Sequence, residues 1–123
     1  MIESNKVLIL EDDPNRMAQF RNMSDEIEII STVPEAIQLL TDYIWRTLYL
    51  DHDLNRESFV DSNRVDCGME LVRWIVKNKP TIPSIIIHSA NRKGSNLMYQ
   101  SLKENDYNVV QSPWGGVFDD RSL

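Results

Sequence analysis

Three short apolar runs, each followed at once by acidic or polar residues, constrain this chain more than any other feature. The runs and the residues that follow them are Val7–Leu10 with Glu11-Asp12-Asp13, Leu48–Leu50 with Asp51-His52-Asp53, and Ile85–Ile87 with His88-Ser89-Ala90-Asn91. Continuous apolar runs of this length are typical of strands buried on both faces of a parallel sheet. Because ligands bind at the carboxyl ends of such strands, the sequence predicts a site built from these polar residues.

The order of apolar and polar segments predicts an α/β fold. We expect strands at about residues 6–10, 26–31, 45–50, 84–88 and 107–111. We expect four helices. The first runs from residue 14 to about 23, and the second follows a Thr32 cap with Glu35 three residues on. The third runs from 68 to 79 and the fourth from 95 to 105. This alternation favours a flavodoxin-like, doubly wound, five-stranded parallel sheet in the order 2-1-3-4-5. Its switch point lies between strands one and three, where Asp12, Asp13 and Asp51 would converge.

Length, charge and cysteine content exclude several classes of protein. A chain of 123 residues is expected to form one domain, and no apolar run approaches the ~20 residues of a membrane span. The net charge of −6 argues against an extended nucleic-acid surface. Because the single cysteine, Cys67, cannot form an internal disulfide, and because residues 1–6 lack the layout of a signal peptide, we expect a cytoplasmic protein.

The clustered aspartates are candidates for metal binding. Carboxylates that crowd at one site repel each other, so some of them must be protonated or bind a cation. Oxygen ligands of this type suit Mg²⁺ or Mn²⁺, and the candidate ligands are Asp12, Asp13 and Asp51. For Asp13, which directly precedes Pro14, a role as the N-cap of the first helix is a strong alternative.

The two histidines are candidates for catalysis. His52 and His88 follow strands that are expected to be neighbours, so together they could act as general acid and base on a phosphodiester. They could instead join the aspartates as ligands of a transition metal. In a regular strand, however, alternation puts His52 on the opposite face from Asp51 and Asp53.

Candidates for phosphate binding lie near the same strand ends. Arg16 follows the first acidic cluster and could bind a phosphate bidentately or pair with a nearby carboxylate. Ser89, Asn91 and Arg92 lie before the fourth predicted helix, whose first N–H groups favour anions. Trp114, near the end of the fifth strand, could stack on a base or cover the pocket.

Over nearly its whole length the chain resembles response-regulator receiver domains. The matching positions are the acidic pair Asp12-Asp13, the phosphoacceptor Asp51, the metal-binding carbonyl of Asp53, the helix-opening Gly68, the pair Ser89-Ala90, and Pro113. Two features depart from that pattern. Ser112 stands where receivers carry a lysine, and only residues 117–123 follow Gly116, which is too short for the usual fifth helix.

A narrower group, the receiver-like family of cyclic-phosphate-processing receiver domains, resembles the chain more closely. The shared features are Leu10-Glu11-Asp12-Asp13, Arg16, Leu50-Asp51-His52-Asp53-Leu54, Gly68, Trp74, Ile87-His88-Ser89 and Asn91. The two histidine motifs distinguish this group from ordinary receivers. The resemblance implies a metal site that includes Asp53, and catalytic roles for His52, His88 and Asp51.

Three functions stay open at this point. The first is a metal-dependent phosphoesterase that acts on a cyclic phosphate, either a nucleotide or an RNA end. The second is a stand-alone receiver phosphorylated on Asp51, although the absent lysine and fifth helix count against it. The third is a binder of a nucleotide or a protein that has no catalytic activity.

Overall fold

A five-stranded parallel sheet forms the centre of the protein. The computed structural model describes residues 2–22, 26–54 and 61–112. The strands are β1 (Ile2–Glu3), β2 (Val7–Leu10), β3 (Ile27–Ile30), β4 (Tyr43–Ile44), β5 (Thr47–Leu50), β6 (Ile85–Ile87) and β7 (Val109–Gln111). The helices are α1 (Pro14–Arg21), α2 (Val33–Asp42), α3 (Gly68–Asn78) and α4 (Arg92–Glu104).

The sheet has the strand order β3-β2-β5-β6-β7, and every neighbouring pair is parallel. Counted over these five strands alone, this is the order 2-1-3-4-5, so the predicted flavodoxin-like topology is confirmed.

The strands β1 and β4 pair with each other over two residues, and such short strands leave no periodic signal in the sequence. Trp114, Pro113 and the expected lack of a fifth helix lie outside the described residues.

Side-chain caps define where the helices begin. Thr32 accepts a hydrogen bond from the backbone N of Glu35 at 3.4 Å, which confirms the predicted N-cap, and its hydroxyl donates to the Glu35 carboxylate at 2.8 Å. The helix α4 begins at Arg92, three residues earlier than predicted. The reason is that Asn91 caps it, since the Asn91 Oδ1 accepts from the backbone N of Gly94 at 3.0 Å.

Alternation along the strands divides the core into two layers. The layer that packs against α2, α3 and α4 includes the strand residues Leu8, Leu10, Leu48, Leu50, Ile85 and Ile87. The other layer packs against Phe20 of α1 and includes Val7, Ile9, Tyr49 and Ile86. We call these two faces of the sheet the α3–α4 side and the α1 side. Helices therefore cover both faces, as the strand–helix order predicts.

A membrane-crossing helix is not found among the described residues, because none of their helices has the necessary length and apolar character.

Candidate functional site

Three neighbouring strands end at the same level, and this brings three polar residues together. The register pairs Leu10 with Leu50 and Leu50 with Ile87, so the next residues along the chain are Glu11, Asp51 and His88. One potential ligand atom from each of the three lies within 4.8 Å of the others. All three residues are buried. We call this group the acidic cluster.

Glu11 is held rigidly at the end of β2. Its Oε2 accepts hydrogen bonds from the backbone N–H groups of Asp12 and Asp13 at 3.1 and 3.0 Å, and its Oε1 lies 2.9 Å from the Nε2 of His88. Burial alone would raise the pKa of Glu11, but the hydrogen bond with His88 brings it below its ordinary value. Burial lowers the pKa of His88, although Glu11 opposes that shift. The pair is therefore best described as a carboxylate that accepts from a neutral imidazole.

Aromatic rings enclose His88 on the α1 side. The ring centroids of Phe20 and Tyr49 lie 5.2 and 6.1 Å from that of His88. Its imidazole is fully buried. These contacts support a role for His88 in fixing Glu11, and its predicted role in proton transfer stays a prediction.

Arg16 extends from α1 into the acidic cluster. Its Nη1 lies 3.5 Å from the Oε1 of Glu11 and 3.6 Å from the Oδ2 of Asp51, and its Nε lies 3.5 Å from the Oδ2 of Asp13. The arginine side chain is 24% exposed. Of the two roles considered for Arg16 from the sequence, pairing with carboxylates is the one with contacts in the structure, and phosphate binding stays a prediction.

Asp51 occupies the centre of the site. Burial raises the pKa of Asp51 to about 8, and the negative charge of Glu11 adds to the rise, while Arg16 and the hydrogen bond with Ser89 oppose it. A cation that binds Asp51 therefore competes with a proton for its carboxyl group. The start of α3 packs directly on it, because a Cβ added to Gly68 would lie 2.0 Å from the backbone O of Asp51. The residue that opens this helix must therefore be glycine.

His52 belongs to a second group of polar residues, on the α3–α4 side. Its Nδ1 lies 2.9 Å from the Oδ1 of Asp53, and its Nε2 lies 2.8 Å from the Oγ of Ser62. Burial alone would lower the pKa of His52, but its hydrogen bonds with Cys67 and Asp53 raise it above its ordinary value. We call His52, Asp53, Ser62, Cys67 and Asn91 the histidine 52 cluster.

Asn91 and Gly94 hold this second cluster against α4. Because the Oδ1 of Asn91 accepts from Gly94, its Nδ2 must be the donor to the Oδ1 of Asp53, at 3.1 Å. A Cβ on Gly94 would lie 2.5 Å from the His52 ring, so this helical position admits the imidazole only when it is glycine. These contacts indicate a positioning role for Asn91, and its predicted contact with phosphate stays a prediction.

The other aspartates predicted as metal ligands lie around the acidic cluster. Asp13 caps α1, since its Oδ1 accepts from the backbone N of Asn15 at 2.9 Å. Asp53 contacts His52 and Asn91, and Asp12 is half-buried. Within residues 2–22, 26–54 and 61–112, these three are not part of the group whose ligand atoms lie within 4.8 Å of one another. Their roles as ligands stay predictions.

A cleft of about 260 Å³ opens next to the acidic cluster. It is lined by Ser89, Ala90, Arg92, Ser95, Asn96 and Gln111. Ser89 joins the two regions, because it lines the cleft and its side chain also hydrogen-bonds with Asp51. Arg92 is exposed at the N-terminus of α4, where the helix dipole favours negative charge. The cleft therefore presents groups that suit an anion.

The donor set of the acidic cluster fits a divalent cation. Carboxylate oxygens are the ligands that Mg²⁺ and Mn²⁺ prefer, whereas an imidazole ligand favours later transition metals. The Nε2 of His88 already contacts Glu11. The oxygens of Glu11 and Asp51 are therefore the donors that could bind a cation without loss of that contact.

Glu11 belongs to the acidic cluster, although the sequence-based prediction of metal ligands did not include it. The resemblance to receivers predicts the acidic pair at Asp12 and Asp13, whereas the residue that converges with Asp51 and His88 is Glu11. Strand alternation predicts the correct position, because Glu11 has the same parity as Ile9, just as Asp51 has the parity of Tyr49.

Comparison with known proteins agrees with the fold. Residues 7–104 match a family model described as a cyclic-phosphate processing receiver domain. The matched region runs from the start of β2 to the end of α4 and contains both polar clusters. No curated protein matches the chain. Because the family model covers most of the sequence, the chain belongs to the family of cyclic-phosphate processing receiver domains.

Proposed function

We propose that this protein hydrolyses a small cyclic phosphate with the aid of a divalent cation, Mg²⁺ or Mn²⁺, bound by Glu11 and Asp51. The observation that carries the proposal is the acidic cluster, whose ligand atoms lie within 4.8 Å of one another at the carboxyl edge of the sheet. The family to which the chain belongs supports it. When bound, the cation would stabilise the negative charge that develops on the phosphoryl oxygens.

The cleft beside Asp51 supplies the proposed phosphate site. The Ser89 hydroxyl and the Arg92 side chain line it, and the N-terminus of α4 adds a favourable dipole. A nucleotide or an RNA end that carries a cyclic phosphate is the proposed substrate. Trp114 remains a candidate for contact with its base.

In the proposed reaction, the oxygen of a water molecule bonds to phosphorus while one P–O bond of the ring breaks. One proton of the water passes to the oxygen that leaves, which becomes a hydroxyl group, and the product is a phosphomonoester. We assign to His88 the positioning of Glu11, and to His52 the positioning of Asp53, because their ring nitrogens contact these carboxylates.

Phosphorus NMR provides the test. The purified protein would be incubated with Mg²⁺ or Mn²⁺ and a panel of nucleoside cyclic phosphates with five- and six-membered rings. We expect ring opening by the wild type, and its loss in Asp51→Asn and Glu11→Gln. The matched control is Asp106→Asn, because Asp106 is exposed and asparagine readily adopts its positive φ of 69°. Ring opening that is absent with every metal, or unchanged in Asp51→Asn, would refute the proposal.

The same samples address the receiver alternative. Treatment with acetyl phosphate, followed by intact-protein mass spectrometry, would reveal an aspartyl phosphate on Asp51. We expect no mass increase, and an increase that Asp51→Asn abolishes would support the receiver alternative. A cytoplasmic location is also part of the proposal. It rests on Cys67, the single cysteine, because one cysteine cannot form the internal disulfides that are common in secreted proteins.

A further inference from the structure

The guanidinium of Arg16 lies where the proposed cation would need to bind. One atom, Nη1, approaches both the Oε1 of Glu11 at 3.5 Å and the Oδ2 of Asp51 at 3.6 Å. These are the two carboxylates that the proposed function assigns to the cation. The side chain therefore already supplies one positive charge to the acidic cluster.

Occupation of the cluster by both positive groups is unfavourable. A small divalent cation binds carboxylate oxygens at about 2 Å. With Nη1 where it is, the two positive centres would be only a few Å apart in a largely buried site, where Coulomb repulsion is strong. Either the cation is excluded or the guanidinium moves away.

A tether for the displaced guanidinium is present. The Nε of Arg16 contacts the Oδ2 of Asp13, while the Oδ1 of Asp13 is committed to the cap of α1. The Asp13 carboxylate is therefore fixed by the helix, and its side chain is 38% exposed. Arg16 can lose its contacts with Glu11 and Asp51 and still retain an ionic partner at the rim of the site.

We propose that Arg16 is a built-in counter-ion that competes with the divalent cation for Glu11 and Asp51. In the cation-free protein its guanidinium supplies the positive charge next to the two carboxyl groups. Cation binding displaces its Nη1 from the cluster, while Asp13 retains the side chain near the site. This inference rests on the proposed cation site. It gives Arg16 a role that lowers cation affinity while it stabilises the cation-free acidic cluster.

Calorimetric titration with Mn²⁺ alone, without substrate, tests the competition. We expect Arg16→Gln to bind Mn²⁺ about tenfold or more tightly than the wild type, since a nearby positive charge is removed. Arg16→Lys keeps the charge and should stay within about threefold of the wild type. Arg21→Gln is the matched control, because Arg21 is an exposed arginine in the last turn of the same helix, and it should leave the affinity unchanged.

Two outcomes would overturn the inference. The first is an Arg16→Gln variant that binds Mn²⁺ no more tightly than the wild type. The second is an equal gain in Arg21→Gln, which would assign the effect to net charge. If Arg16→Gln does not fold without metal, added Mn²⁺ should restore its far-UV circular dichroism, and a failure to do so also contradicts competition. A wild type and Arg16→Gln that both fail to bind Mn²⁺ would instead refute the proposed cation site itself.

Discussion

The two histidines follow adjacent strands, yet they belong to different environments. His88 lies on the α1 side, where its Nε2 contacts Glu11 and aromatic rings surround it. His52 lies on the α3–α4 side, where it contacts Asp53 and packs against Gly94. Burial lowers the pKa of the first, whereas hydrogen bonds with Cys67 and Asp53 raise the pKa of the second despite its burial. The same residue type thus contacts a carboxylate in each of the two clusters.

Strand alternation is the cause of this difference. Asp51 continues the parity of Tyr49, and His88 continues that of Ile86, so both turn to the α1 side. His52 continues the parity of Leu50 and turns to the α3–α4 side. Sequence proximity to Asp51 is therefore a poor guide to which histidine shares its site. The comparison predicts that perturbation of one cluster should leave the other largely intact.

Replacement of the histidines should have the largest effects, and unequal ones. We expect His88→Leu to lower the free energy of unfolding by about 3–5 kcal/mol, because it leaves a fully buried carboxylate without its imidazole partner. His52→Leu should cost about 1–3 kcal/mol, since Asp53 is 15% exposed at its side chain and keeps a hydrogen bond from Asn91. Urea unfolding at neutral pH measures both. Equal costs would contradict the distinction between the clusters.

A methyl group at Gly94 should disturb only the histidine 52 cluster. The added Cβ would lie 2.5 Å from the His52 ring. We expect Gly94→Ala to cost about 1–3 kcal/mol of unfolding free energy through overpacking. Lys103→Ala, at an exposed position of the same helix, is the control and should change stability by less than about 0.5 kcal/mol. A tenfold loss of Mn²⁺ affinity in Gly94→Ala would show that the two clusters are coupled.

The acidic cluster should make stability depend on pH when no metal is present. The pKa of Asp51, about 8 in the folded protein, lies above its ordinary value in an unfolded chain. The folded state therefore holds the Asp51 proton more tightly than the unfolded chain does. The contribution of this proton to the free energy of unfolding is lost as the pH rises through the folded-state pKa. Between about pH 6.5 and 8.5 we expect the wild type to lose about 1–2 kcal/mol relative to Asp51→Asn. Thermal unfolding of both proteins measures the difference, and parallel curves would contradict it.

Asp13 should contribute the smallest effect, because it caps a helix. Asparagine caps a helix as well as aspartate does, so Asp13→Asn should change stability by less than about 0.5 kcal/mol. Asp13→Ala removes the cap and should cost about 1 kcal/mol. Neither change should reduce Mn²⁺ affinity more than about threefold if Asp13 is not a ligand. A larger loss in Asp13→Asn would assign the residue to the metal site.

Much of the fold could be predicted from the sequence, because buried parallel strands and capped helices leave local signals. The runs Val7–Leu10 and Ile85–Ile87 and the Thr32 cap fall in this class. The predicted start of α4 was wrong by three residues, because the helix begins directly after its cap, Asn91. The pairing of β1 with β4 could not be predicted, since two-residue strands have no period.

The site was less predictable than the fold, because it depends on register as well as on strand position. The composition of the polar clusters indicates a cation, but only the alignment of Leu10, Leu50 and Ile87 across the sheet identifies Glu11 as a partner of Asp51. The contacts of Arg16 with Glu11 and Asp51 depend on where α1 packs against the sheet. Single-sequence patterns contain no direct measure of that packing.

Mn²⁺ binding to the metal-free protein, followed by electron paramagnetic resonance, tests the central claim most directly. Free Mn²⁺ gives a sharp signal that is lost on binding, so the measurement requires no substrate. Our account predicts that the wild type and Asp106→Asn bind one Mn²⁺ with equal affinity, and that Glu11→Gln and Asp51→Asn bind it at least about tenfold more weakly. Equal affinity in all four proteins would contradict a cation site at the acidic cluster.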